Sequence, residues 1–220
     1  MSEHPQLPTF TTIDPSTLTQ DLQTLLDQNR EQIHSLCNAD TPSWESVMSP
    51  LAELDIRLQH LWSPFSHLNS VTNTDEIRQS YNDCLPLLTQ YSTEIGQNKA
   101  LFDAFEKIQD QPNLDPAQQK IIEHSLRDFR LAGVALSDDK KARYQAICER
   151  LSTLCTQFEE NIIDATGAWH HHVTDESELA GLPDYAIASA KHAAEQQSLD
   201  GHLFTLHIPS YLAVMQFAEN

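Results

Sequence analysis

A run of three histidines, His170-His171-His172, followed by His202 and His207, is where metal-ligating side chains accumulate in this chain. Zinc needs three or four converging donors in a tetrahedral array, with outer partners that orient them. Both histidine segments read as strands, and side chains alternate between faces along a strand. That sends His170 and His172 one way and His171 the other. A solvated polar strand face accounts for them, so no metal ligand is assigned. Glu31-Gln32-Ile33-His34 has the Glu-x-x-His spacing of di-iron bundles, which require a second copy of the motif on a facing helix, and the sequence has none. His192-Ala193-Ala194-Glu195 opens like an inverted zinc-peptidase motif, then carries Gln196 where histidine is required. Both motifs read as surface helix residues.

Other chemistry is equally thin. Trp62 to Val71 contains Ser66, His67 and Asn69 and reads as a helix-to-helix junction. There, serine and asparagine can cap the flanking helices or sit in turns, or these side chains can offer hydrogen bonds to a peptide backbone. Serine next to histidine in sequence does not establish nucleophile–base geometry, so no triad follows. Cys37, Cys84, Cys148 and Cys155 show no C-x-x-C spacing. The last two are seven apart, on one helical face, and read as small core residues. Five isolated glycines exclude both the dinucleotide-binding fingerprint and the P-loop.

The elements that would position these residues are mostly helices. Asp14-Pro15 reads as N-cap and first helical residue, followed by an apolar stripe through Leu18, Leu22, Leu25, Ile33 and Leu36. A second helix starts near Thr41-Pro42 and carries Val47, Leu51, Leu54, Leu58 and Leu61; Pro50 bends it and Pro64 ends it. Asn73 and Glu76 are expected to form a capping box for a third helix. Its seam is Ile77, Tyr81, Cys84, Leu88, Tyr91 and Ile95, continuous across Pro86. Shorter helices follow at Leu101–Ile108 and from Asp115-Pro116 to about Ala132. The longest, capped by Ser137, bears Tyr144, Cys148, Leu151, Cys155, Phe158, Ile162 and Ala165 and is expected to be the spine of the fold.

Beyond Gly167 the pattern changes. Trp169–Thr174 and His202–Ile208 read as two strands that pair antiparallel, separated by an alanine-rich helix from Pro183 to about Gln197, with Asp200-Gly201 turning into the second strand. From Pro209 an amphipathic helix opens with Tyr211, Met215 and Ala218 on one face, and the chain is expected to stop inside it. The fold class is therefore mainly α: a multi-helix, bundle-like array with a small two-stranded antiparallel sheet near the C-terminus. Its expected division is a helical domain over 1–167 and a strand–helix–strand segment over 168–220.

Charge narrows the partners. Against 13 lysines and arginines stand 32 aspartates and glutamates, a net charge of −19. That field repels nucleic acid and anionic lipid and attracts cationic peptides. Met1 to Phe10 lacks the basic and apolar regions of a secretory signal, and no apolar run reaches membrane-spanning length. The expectation is a cytoplasmic protein with no nucleic acid or membrane partner.

Several stretches together resemble one family. Pro50-Leu51-Ala52-Glu53-Leu54-Asp55, Trp62 to Val71, Leu85 to Thr93, Leu126-Arg127-Asp128-Phe129-Arg130-Leu131-Ala132-Gly133, Asp164-Ala165-Thr166, Asp175 to Pro183 and Ile208-Pro209-Ser210-Tyr211-Leu212 look like the amino-terminal part of the thimet oligopeptidase family of zinc metallopeptidases. The resemblance implies a two-domain enzyme with a deep channel that admits short unfolded peptides. It also implies that zinc and the catalytic side chains belong to a carboxy-terminal half. His-Glu-x-x-His, which holds zinc and the general base in such enzymes, does not occur here. The chain then reads as a non-catalytic portion forming one channel wall, inactive alone. Ser66, His67 and Asn69 are its candidate channel residues, and short peptides and the catalytic half are its partners. The rival reading is a stand-alone acidic helical module that binds a partner helix or cationic segment.

Overall fold

The computed structural model describes Phe10, residues 13–38 and residues 41–219. Residues 1–9, on which the reading of the amino terminus rests, lie outside them. Two units pack separately, Met1–Thr153 and Leu154–Asn220. Among the described residues there are eight α-helices and one two-stranded antiparallel sheet, as the periodicities predict. Among the described residues no helix is long and apolar enough to cross a membrane.

In the first unit, α1 (Pro15–Cys37) opens as expected, with the Asp14 carboxylate accepting the Ser16 N–H. Its buried face is Leu18, Leu22, Leu26, Asn29 and Ile33, so Leu26 takes the place expected for Leu25. Leu25 and Leu36 are only half-buried. A 3.6-residue period seats positions 22, 26, 29 and 33 on one line; Leu25 falls beside it.

The second helical segment begins with a π-helical turn, Trp44–Met48, capped reciprocally by Ser43 and Ser46, and passes into α2 (Ser49–Val71). Pro50 sits at the first turn of the α-helical part, where its missing N–H costs least. Pro64 does not end the helix. It lies inside α2, buried beside Phe65, so the junction expected at 62–71 is instead the last turns of a continuous helix. The reason is the apolar line Leu54, Leu58, Leu61, Phe65 and Leu68, which stays in register on both sides of the proline and packs into the core. Burial of that line offsets the one backbone bond and the crowding that an interior proline introduces, about 3 kcal/mol.

The true break is at residues 72–74. Asn73 adopts a left-handed φ of 46°, and its side-chain amide donates to the Asn69 carbonyl at 2.8 Å. Thr74, not Asn73, caps α3 (Asp75–Gly96) by accepting the Ile77 N–H. The expected capping box at Asn73 and Glu76 is thus corrected by one position, because Asn73 closes the preceding helix. Pro86 lies within α3 as expected. α4 (Lys99–Gln109) and α5 (Pro116–Leu131) are capped by Asn98 and Asp115.

Two apolar clusters hold these helices. One joins Ile33 of α1 and Leu54 of α2 to Leu101, Phe102, Phe105 and Ile108 of α4 and Ile122, Leu126 and Phe129 of α5. Phe129 meets Phe102 and Phe105 edge-on at 5.9 and 5.3 Å, a geometry that aligns ring edges with ring faces. The other joins Leu18, Leu22 and Leu26 to Phe65, Ile77 and Cys84. Tyr91 of α3 packs against both.

The longest helix, α6 (Asp138–Ala168), differs from expectation. Its only buried residue is Thr156, while Leu151 and Phe158 are 58% and 66% exposed and Cys155 and Ile162 are exposed too. From Leu151 onward the expected spine presents its apolar stripe to solvent, while Tyr144 and Cys148 are half-buried. Periodicity marks which side of a helix is apolar; it does not supply the element that covers it.

In the second unit, β1 (His170–Val173) pairs antiparallel with β2 (His202–Thr205), His172 opposite Leu203. Gly201 makes the turn possible with φ 89°, where a Cβ would stand 2.4 Å from the Val173 carbonyl oxygen. A 3-10 turn, Glu176–Leu179, leads to α7 (Asp184–Gln196). Its small buried residues Ala186, Ala190 and Ala194, spaced by four, let it lie close to β2. α8 (Ile208–Phe217) ends within the chain: Ala218 is extended, and the Glu219 N–H donates to Ala180. The expectation that the chain stops inside this helix is therefore corrected. Ala213 is its buried position, whereas Tyr211 and Met215 are exposed.

Candidate functional site

Ser66, His67 and Asn69 all stand on the carboxy-terminal turns of α2. Ser66 is half-buried and His67 exposed. Successive residues on a helix point about 100° apart, so the serine hydroxyl and the imidazole diverge and form no nucleophile–base pair. His67 lies edge-on to Phe10, ring centres 5.9 Å apart, and its carbonyl accepts the Ser70 hydroxyl at 2.7 Å. Asn69 is half-buried, and its carbonyl is taken by the Asn73 amide. Ser66 and Asn69 are therefore neither helix caps nor turn residues, as one expectation held; Asn73 and Thr74 do that work. The side chain of Asn73 also accepts Arg78 Nε at 3.0 Å, tying the two helices together at this corner.

A cleft of about 430 Å³ opens between α2, α3 and α5. Buried Ile33, Leu54, Leu101, Phe105 and Phe129 make its floor, with half-buried Tyr91 and Ile95 on its wall. Its exposed rim carries Asp55 of α2, Ser92 of α3 and Asp128 of α5, with half-buried Ser125 between rim and floor. Burial pushes the Tyr91 phenol above its usual range, against the pull of Asn29 and Arg30. Gly96 brings α3 onto α5 at one end, since a Cβ there would stand 2.9 Å from Cβ of Ala132. Sequence reading did not find Asp55 and Asp128. Each is an ordinary exposed helix residue, and only the assembly of three helices brings them to one opening.

The histidines do not converge. His170, His171 and His172 are exposed. His172 Nε2 is spent on the Asp200 carbonyl, and His171 Nε2 lies 3.9 Å from the Glu178 carboxylate at the edge of an apolar pocket of about 360 Å³ lined by Trp169, Phe204, Tyr211 and Met215. Glu31 and His34 are exposed on α1. His192 meets Glu195 at 4.0 Å and Gln196 at 3.0 Å on the surface of α7. Among the described residues no three histidine, cysteine, aspartate or glutamate side chains gather where they could hold a metal ion. These donors do not fit a zinc site of three or four ligands.

Four thiols are free. Cys84 is buried and Cys37 half-buried, and desolvation pushes both above the usual thiol range. Cys155, expected in the core, is exposed because the face of α6 that bears it is uncovered.

Comparison with known proteins matches residues 22–141 to the family described as Neurolysin/Thimet oligopeptidase, N-terminal domain. Oligopeptidase A of Haemophilus influenzae is 44% identical over 97% of this chain and 32% of its own length. Oligopeptidase A of Escherichia coli is 43% identical over 98% of the chain and 32% of its own length. The probable cytosolic oligopeptidase A of Arabidopsis thaliana is 32% identical over 97% of the chain and, again, 32% of its own length. The chain thus spans about a third of these relatives.

Proposed function

From the premise that this chain belongs to the neurolysin/thimet oligopeptidase family, we propose that it is the non-catalytic amino-terminal portion of an oligopeptidase A-like zinc peptidase that hydrolyses short peptides. The observation that carries the reading is the alignment itself: nearly all of this chain matches one third of each oligopeptidase A relative. A catalytic zinc would be held by the remaining two thirds, where it would polarise the scissile carbonyl and activate water.

In this reading residues 1–167 form a helical wall of the substrate channel and 168–220 lead towards the catalytic part. The division assigns roles by function and not by packing. The enzyme works in the cytoplasm, without a nucleic acid or membrane partner. Ser66, His67 and Asn69 on the last turns of α2 contact peptide, and His67, the exposed one of the three, makes the largest contribution.

The test is kinetic. In the chain joined to the remaining two thirds of the Haemophilus influenzae relative, His67→Ala should raise KM for a quenched-fluorescence peptide several-fold with kcat little changed, the mark of lost uniform binding. Unchanged KM would remove His67 from the channel. Absence of chelator-sensitive cleavage by the joined protein would count against the enzyme reading as a whole.

A further inference from the structure

We infer that the cleft between α2, α3 and α5 is a peptide-binding subsite that takes a bulky apolar side chain together with a neighbouring lysine or arginine. The inference rests on the proposed peptidase reading for its class of ligand and adds to it a place and a preference. At about 430 Å³ the cleft lies in the size range of small-ligand pockets. Its floor of Ile33, Leu54, Leu101, Phe105 and Phe129 is apolar, so burying an aliphatic or aromatic side chain there is favourable in proportion to the area covered.

Charge selects the rest of the ligand. None of the lining residues is lysine, arginine or histidine, and the two carboxylates of the rim, Asp55 and Asp128, come from different helices. Asp128 is shared with Arg127 at 2.8 Å in an exposed pair of adjacent residues, an arrangement of little strength. Asp55 has no ion pair or hydrogen bond among the described residues. Arg30, whose guanidinium stands 5.5 Å from the centre of the Tyr91 ring, is held by Asp27 and Glu94 at 2.7 and 2.8 Å. It is not free to neutralise the rim. A lysine or arginine of a bound peptide would lay its methylene stem along the apolar wall and place its cation at the carboxylates. The net charge of −19 favours the approach of such a ligand and opposes an acidic one.

The test uses the 220-residue chain and fluorescein-labelled hexapeptides centred on Phe-Arg, Phe-Glu or Ser-Arg, followed by anisotropy. Saturable binding of the Phe-Arg peptide is expected, weakened about tenfold by Asp55→Asn with Asp128→Asn, as for loss of one charge-assisted contact. The Phe-Glu and Ser-Arg peptides should bind at least as poorly. Ser125→Phe, which fills the cleft from α5, should abolish binding while the helical circular dichroism is kept. Should a variant lose that signal, the peptide swaps and the salt dependence of the native chain decide instead. No saturable binding by the native chain, equal affinity for Phe-Arg and Phe-Glu, or insensitivity to salt would overturn the proposal. The assay reads binding without zinc or turnover, so its failure leaves the peptidase reading standing, and failure of that reading leaves this result intact.

Discussion

Leu126 and Leu151 occupy equally regular apolar stripes, yet the first is 1% exposed and the second 58%. Leu126→Ala should destabilise by about 2–5 kcal/mol through the cavity it leaves, whereas Leu151→Ala should stay within about 0.5 kcal/mol. Denaturant titration of the two variants checks this, and equal losses would mean that α6 is covered in solution. The cysteines make the same distinction chemically. Cys155 should react with a thiol reagent at the rate of an open thiol, and Cys84 only as the chain unfolds, because burial both shields it and disfavours its thiolate. Stopped-flow labelling with mass spectrometry separates them. At this scale the sequence showed which residues are apolar and how they repeat. It could not show that Asp55 and Asp128 share a rim, because that depends on how three helices meet.

Element by element, the helices were legible from caps and periods. Asp14-Pro15, Asp115-Pro116 and the stripe of α3 across Pro86 all stand where local chemistry places them. The misreading at Pro64 has a physical cause: proline is a strong local signal, but the apolar line of Leu58, Leu61 and Leu68 packed around buried Phe65 is a stronger tertiary one. The corner at Asn73 was hidden for a related reason, since asparagine serves both as an N-cap and as a left-handed helix terminator. Asn73→Val should therefore cost about 1–2 kcal/mol, the strain of a left-handed backbone with a β-branched side chain, whereas Asn73→Gly should lose only the side-chain hydrogen bonds. Thermal unfolding of the pair tests it. If valine is tolerated as well as glycine, the corner is not held by that conformation.

For the molecule as a whole, the fold class and the small sheet followed from the change of period near residue 167, and the family from scattered motifs that run along nearly the entire chain. The exposed apolar stripe of α6 was not legible, because its cover is not encoded within the helix. In the proposed enzyme these 220 residues shape the space in which another part of the protein performs hydrolysis. The direct measurement is turnover of a short quenched-fluorescence peptide by the purified 220-residue chain, with and without chelator, beside the same chain joined to the remaining two thirds of an oligopeptidase A relative. The account predicts no cleavage by the chain alone and chelator-sensitive cleavage by the joined protein. Chelator-sensitive cleavage by the chain alone would contradict it.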